Sequence, residues 1–258
     1  MRRCAFTAWA HFFVFQKPGK GNMIRKFDLK LGSVSIAIET GRMAKQADGA
    51  VTVQLGGTVV LATAVCSKEI RPDIDFFPLT VEYQEKTYAA GKIPGGWFKR
   101  EGRPTGKEIL TSRLIDRPIR PLFPRGFVND VQIVALVLSS DGENDSDVLA
   151  MIGASAALTI SGIPFEGPIG AVRIGRLDGK FVINPTFKDL EKSDIDLVVA
   201  ATRTAVIMIE SGSKEVSEEA MVDAIKVAHD AIKSVIDVQE KMARDLGEIG
   251  RASCRERV

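Results

Sequence analysis

The stretch with the most chemical character is residues 83–125, YQEKTYAAGKIPGGWFKREGRPTGKEILTSRLIDRPIRPLFPR. From residue 86 to 125, ten Lys or Arg face three acids, Glu101, Glu108 and Asp116, which is +7 on a chain whose total is +2. Charge segregated in this way suits a polyanion. Aromatics sit beside it: Tyr88, and Trp97-Phe98 directly before Lys99-Arg100. On a glycine-rich loop that pairing suits single-stranded nucleic acid, because the ring stacks on a base while the cation holds phosphate. The competing reading is a solvated basic loop with Trp97 and Phe98 tucked into a core. Arg113 and Arg117 lie four apart on one helix face. They either extend the basic surface or pair with Asp116, Glu108 or another acid.

Other chemistries find little support. GKIPGG lacks the glycine-lysine-serine/threonine end of a phosphate-binding P-loop, and it is not the GXXG of a KH domain. His11 and His229 are the only histidines, and Cys4, Cys66 and Cys254 have no metal-ligand spacing. The acidic run 141–147, DGENDSD, lacks the order of an EF-hand. It reads as the cap of the following helix, since acids favour a helix N-terminus. A small-molecule enzyme built on those acids is the weakest reading. Hence no catalytic set and no metal site is expected within this chain. Three cysteines without an even framework fit a reducing compartment, and no apolar run reaches membrane-spanning length.

The elements that would position the loop are as follows. Residues 26–37 read as a strand, broken at 39–41. Strands 49–54 and 59–66 flank a Gly56-Gly57 hairpin turn. A strand over 76–83 contains Pro78, which favours a sheet edge. The loop 87–103 leads to Thr105, which has capping-box spacing to Glu108. That helix is expected to stop near Asp116, before Pro118. A strand at 131–139 precedes a small-residue helix over 148–161. Strands 170–174 and 180–184 join across Asp178-Gly179, and 195–201 pairs with 205–210. Ser217 caps a last helix whose apolar face is Met221, Ala224, Ile225, Ala228, Ile232, Val235 and Ile236; His229 borders that face as a surface residue. The fold class is α+β: mixed, mostly antiparallel sheets packed with helices.

The ends differ from the middle. Residues 1–22 are expected to be a non-native extension before Met23, with a targeting peptide as the alternative. EIGRASCRERV, 248–258, reads as translated adapter sequence, so the natural chain is expected to continue past residue 247. The domain proper is then 23–247.

Within 23–247, the segments IETGRMAKQADGAV, DFFPLTVEYQEKTYAAGKIPG, REGRP, RLIDRPIRPLFP, GFVNDVQIVALVLS, MIGASAALTISGIPFEGPIGA and DLVVAAT occur in order. Together they closely resemble the first RNase PH-like domain of the bacterial polynucleotide phosphorylase family. The resemblance implies a phosphate-dependent 3′→5′ exoribonuclease (a polyribonucleotide nucleotidyltransferase) that releases nucleoside diphosphates from single-stranded RNA. It implies inorganic phosphate as substrate, and Mg2+ or Mn2+ bound by a second RNase PH-like domain that also carries the catalytic residues. It further implies a cytoplasmic homotrimer, RNA-degradation partners and no membrane association. This chain alone would be inactive, supplying RNA-binding and ring-forming surface. By position, Trp97, Phe98, Lys99, Arg100 and Arg103 would bind RNA, and Arg113, Arg117 and Arg120 would lie near the RNA path or a domain interface. The family's usual Phe-Phe-Arg-Arg stands here as Trp97-Phe98-Lys99-Arg100, so Lys99 keeps the charge but loses the planar fork of arginine. The alternative is a non-catalytic RNA-binding or scaffold subunit of an exosome-like ring.

Overall fold

The computed structural model describes residues 24–32, 34–70 and 75–246. The terminal expectations, 1–22 and 248–258, lie outside those residues.

Six strands form the first sheet: β1 Arg25–Leu31, β2 Val34–Thr40, β3 Gly49–Leu55, β4 Thr58–Cys66, β5 Leu79–Glu85 and β6 Val131–Ser139, in the order β1-β2-β3-β4-β6-β5. The single strand expected over 26–37 is two antiparallel strands, because Gly32 takes φ +58° and reverses the chain. Pro78 stands just before β5, and β5 is an edge, paired in parallel with β6. The second sheet is β10-β9-β7-β8, from β7 Gly170–Leu177, β8 Lys180–Ile183, β9 Ile195–Ala201 and β10 Val206–Ser213. The β7–β8 turn places Asp178 at φ +48° and Gly179 at φ +76°, the two positive values a tight hairpin of this hand requires.

Helix α2, Asp147–Ile160, is buried on every side from Asp147 to Leu158. It packs on β3 and β4 and also touches β7 and α4, Glu218–Leu246, so it joins the two sheets. Small residues allow the approach: a Cβ added at Gly153 would stand 2.9 Å from the Ala62 Cβ. A helix apolar all round is a core helix. Helix α4 turns Ala224, Ala228, Ile232, Val235 and Ile236 inward, as its periodicity predicts. Ser155 fixes its register, donating to Gln239 Oε1 at 2.7 Å and accepting the Ile169 N–H. A short helix, α3 Phe187–Lys192, starts at a Thr186–Asp189 capping box, a signal that the sequence reading passed over.

Helix α1, Gly106–Ile119, runs past the expected stop and contains Pro118. Pro118 has no N–H to donate to the Leu114 carbonyl, so the last turn gives up one helix bond. Pro118 and Ile119 are buried, and that burial outweighs the backbone preference.

Candidate nucleic-acid interface

The loop from β5 to α1 is clasped twice at its base. The outer clasp is Glu108. One oxygen accepts the Thr105 N–H at 2.6 Å and the other accepts the Glu85 N–H at 2.8 Å, while Thr105 Oγ1 accepts the Glu108 N–H. The capping box therefore starts the helix and ties it to the end of β5. The inner clasp is Glu101, which accepts the Thr87 N–H at 2.9 Å and the Thr87 hydroxyl at 2.8 Å. From the inner clasp onward, residues 87–90 form a 3-10 turn, and the Ala89 carbonyl accepts the Ser140 N–H beyond β6.

Beyond this stem the loop stands in solvent. Trp97 is 91% exposed and Phe98 78%, so the reading that tucks them into a core does not hold. Lys92, Lys99, Arg100 and Arg103 are exposed and make no ion pair among the described residues. Lys99 takes φ +50° and Gly96 φ +76°, which turns the chain sharply at the tip. Large exposed rings beside unpaired cations can stack on bases and neutralise phosphates.

The α1 arginines divide. Arg113 is exposed and makes no ion pair among the described residues. Arg117 reaches Glu210 on β10 at 3.3 Å, with both side chains more than half exposed. Arg120 takes Asp116 at 2.7 Å and donates to the Phe77 and Leu79 carbonyls. It therefore braces the start of β5. The edge is further capped by α1, where Ser112 Oγ accepts the Tyr83 N–H at 3.0 Å. Such capping protects an edge strand from adventitious pairing.

A second charged centre was missed because its members lie far apart in sequence and form no motif. Arg173 on β7 meets Asp145 at 2.6 Å, Asp147 at 3.2 Å and Asp196 at 3.1 Å. Lys107 joins Asp145 at 3.3 Å and Glu85 at 2.9 Å. One guanidinium cannot satisfy three carboxylates equally. Although burial opposes it, the charges of Lys107 and Arg173 hold Asp145 below its usual range. Burial, with the neighbouring Asp145 charge, pushes Asp147 up to about 6. Tyr83 lies against this centre, its hydroxyl 2.6 Å from both Glu85 and Ser146. Burial raises its pKa well above the usual range.

The 141–147 run stands at the start of α2 as expected, with Asp147 in the first turn accepting the Val148 N–H, although Ser146 at the N-cap makes no side-chain cap bond. Asp141 ties down the β3–β4 hairpin, accepting from the Gly57 N–H and the Thr58 hydroxyl as well as from Glu143 and Asn144. Those bonds hold it well below the usual carboxylate range, against the opposing effect of burial. With Asp141 occupied by donors and Asp145 and Asp147 by Arg173, these acids do not fit a metal ion, and no group of three candidate ligands occurs among the described residues. His229 is half-buried on α4, its Nε2 3.2 Å from the Thr202 carbonyl.

One mixed and one antiparallel sheet joined by a buried helix, with a long helix behind, make an RNase PH-like fold. Two solved structures share it: rice (Oryza sativa) Rrp46, with TM-score 0.63, 15% identity and 88% and 98% of the two chains covered, and a chain of the Archaeoglobus fulgidus exosome with RNA bound to the active site, with TM-score 0.62, 17% identity and 86% and 88% covered. The profile of the 3′ exoribonuclease family, domain 1, matches residues 34–164, and that of domain 2 matches residues 167–231. The chain belongs to the 3′ exoribonuclease family. The boundary between the two matches falls between α2 and β7, where the chain passes from the first sheet to the second. Among curated relatives the chain is similar to the polyribonucleotide nucleotidyltransferases of Persephonella marina, 57% identical over 225 residues, and Maricaulis maris, 60% identical over 220 residues. These alignments cover 87% and 85% of this chain but only 32% and 31% of the relatives' length.

Proposed function

We propose that this chain is the RNA-gripping part of a phosphate-dependent 3′→5′ exoribonuclease acting on single-stranded RNA. In that reaction a phosphate oxygen attacks the terminal phosphodiester phosphorus. The bond to the 3′ oxygen of the preceding nucleotide breaks, freeing a nucleoside diphosphate and leaving RNA shortened by one residue. Trp97, Phe98, Lys99, Arg100 and Arg103 would hold the strand, with Arg113 and Arg117 on the RNA path or a domain interface and Arg120 bracing the turn behind them. In this reading residues 23–247 form the first of two RNase PH-like domains. The second would supply the catalytic residues and bind Mg2+ or Mn2+, and the whole would assemble as a cytoplasmic homotrimer with RNA-degradation partners. The described helices include none long and apolar enough to cross a membrane.

The observation that carries the proposal is the Trp97-Phe98-Lys99-Arg100 run. It is solvent-exposed on a doubly clasped stem, in a chain 57–60% identical to polyribonucleotide nucleotidyltransferases. The non-catalytic scaffold reading draws on likeness to exosome chains, which stands at 15–17% identity. The test is to incubate single-stranded RNA and inorganic phosphate with the purified chain, and with the same chain continued into a second RNase PH-like domain. The first should release no diphosphate and the second should release diphosphates only when phosphate is present. Release of monophosphates without phosphate would replace phosphorolysis by hydrolysis.

A further inference from the structure

Glu101 is the only acid between residues 86 and 107. It sits next to Arg100 and two residues from Arg103, yet its carboxylate pairs with neither. Both oxygens are taken by Thr87, one by the backbone N–H at 2.9 Å and one by the hydroxyl at 2.8 Å, fourteen residues away in sequence. Two consequences follow from that geometry. The bonds close the loop at its base, which limits the conformations of an exposed tip that has little packing of its own. They also direct the negative charge at neutral donors and leave the neighbouring cations unpaired.

We infer that Glu101, held by Thr87, is a positioning residue for RNA capture: it presets the tip bearing Phe98 and Arg100 and keeps its own charge off those cations. This rests on the RNA-interface reading of the loop. The inference has a sign that simple electrostatics does not share. If Glu101 were only a surface acid near a basic patch, neutralising it would remove a repulsion from phosphate and strengthen RNA binding. If it is the latch, removing it loosens the tip and weakens binding. Hydrogen bonds to a charged group make a loss of about tenfold the expected scale.

The experiment measures binding of a fluorescent single-stranded oligoribonucleotide to the full chain and its variants across a salt series. Glu101→Ala should weaken binding by about tenfold, and Glu101→Gln, which keeps one acceptor, by less. Thr87→Val leaves every charge in place and should also weaken binding, with the slope against salt unchanged. The double variant Glu101→Ala with Thr87→Val should be no weaker than Glu101→Ala alone, because both remove one interaction. Melting temperatures should stay at the wild-type value, since both side chains lie on the exposed loop stem. Tighter binding by Glu101→Ala, or additive losses in the double variant, would overturn the latch. If the wild-type chain binds no RNA, or Phe98→Ala with Arg100→Ala changes nothing, the interface reading itself falls, which is a distinct outcome.

Discussion

Arg173 donates to the Asp145 carboxylate at 2.6 Å, linking β7 of the four-stranded sheet to the turn that leads into α2. That pair sits at the seam between the two halves of the fold. Asp147 and Asp196 share the same guanidinium. Removing one partner of a buried ion group leaves the others uncompensated. Arg173→Met is therefore expected to destabilise the chain by about 3–5 kcal/mol in denaturant unfolding. Adding Asp147→Asn to that variant should recover part of the loss, because one stranded carboxylate is removed.

Asp147 makes stability depend on pH. Its carboxyl ionises near 3.8 in an unfolded chain and is pushed up to about 6 in the fold. A raised acid contributes stability that is complete below the unfolded value and lost as pH rises through the folded one. Asp145, Asp196, Arg173 and Lys107 are the charged groups around it. Asp147→Asn removes the titration while keeping the shape. Relative to wild type, the variant should fare better at pH 7.5 than at pH 4.5 by about 2 kcal/mol in paired urea melts. A difference independent of pH would show that Asp147 stays ionised in the fold.

The approach of α2 to the first sheet leaves no room for a larger side chain at Gly153. An added Cβ would meet Ala62 at 2.9 Å and Val53 at 3.2 Å. Gly153→Val should cost about 1–3 kcal/mol through overpacking, lowering the melting temperature without touching the basic loop. An unchanged melting temperature would mean that the helix can move away from β3 and β4 at little cost.

By the resemblance, Lys99 stands at a position where arginine is expected. It is exposed and makes no ion pair among the described residues, so a guanidinium has room to form a bidentate phosphate contact. Lys99→Arg is expected to tighten single-stranded RNA binding by about two- to threefold, the scale of a fraction of one charge-assisted bond. Equal or weaker binding would place Lys99 away from the strand.

Much of this architecture is legible from local chemistry. The Gly56-Gly57 and Asp178-Gly179 turns, the Thr105–Glu108 capping box and the inward face of α4 each depend on residues close in sequence. The exposed basic loop is legible for the same reason, although composition alone left open whether Trp97 and Phe98 were buried. Features set by distant partners were not legible. The helix runs through Pro118 because Pro118 and Ile119 find a core to pack against. β5 pairs in parallel with β6 although α1 lies between them in the chain. The Arg173 centre collects acids from positions 145, 147 and 196, with nothing in their spacing to connect them. The same holds for Asp141, whose role emerges only when the Gly57-Thr58 turn folds against it.

The most direct measurement is the salt dependence of single-stranded RNA binding by the wild-type chain and by Phe98→Ala with Arg100→Ala. Four unpaired loop cations, Lys92, Lys99, Arg100 and Arg103, predict a slope of log affinity against log salt of about −3 when all contact phosphate. The double variant should lose one cation, reducing the slope by about 0.7, and one stacking ring, worth about 1–3 kcal/mol, at an unchanged melting temperature. The same affinity and slope for both proteins would contradict the account and place the RNA elsewhere.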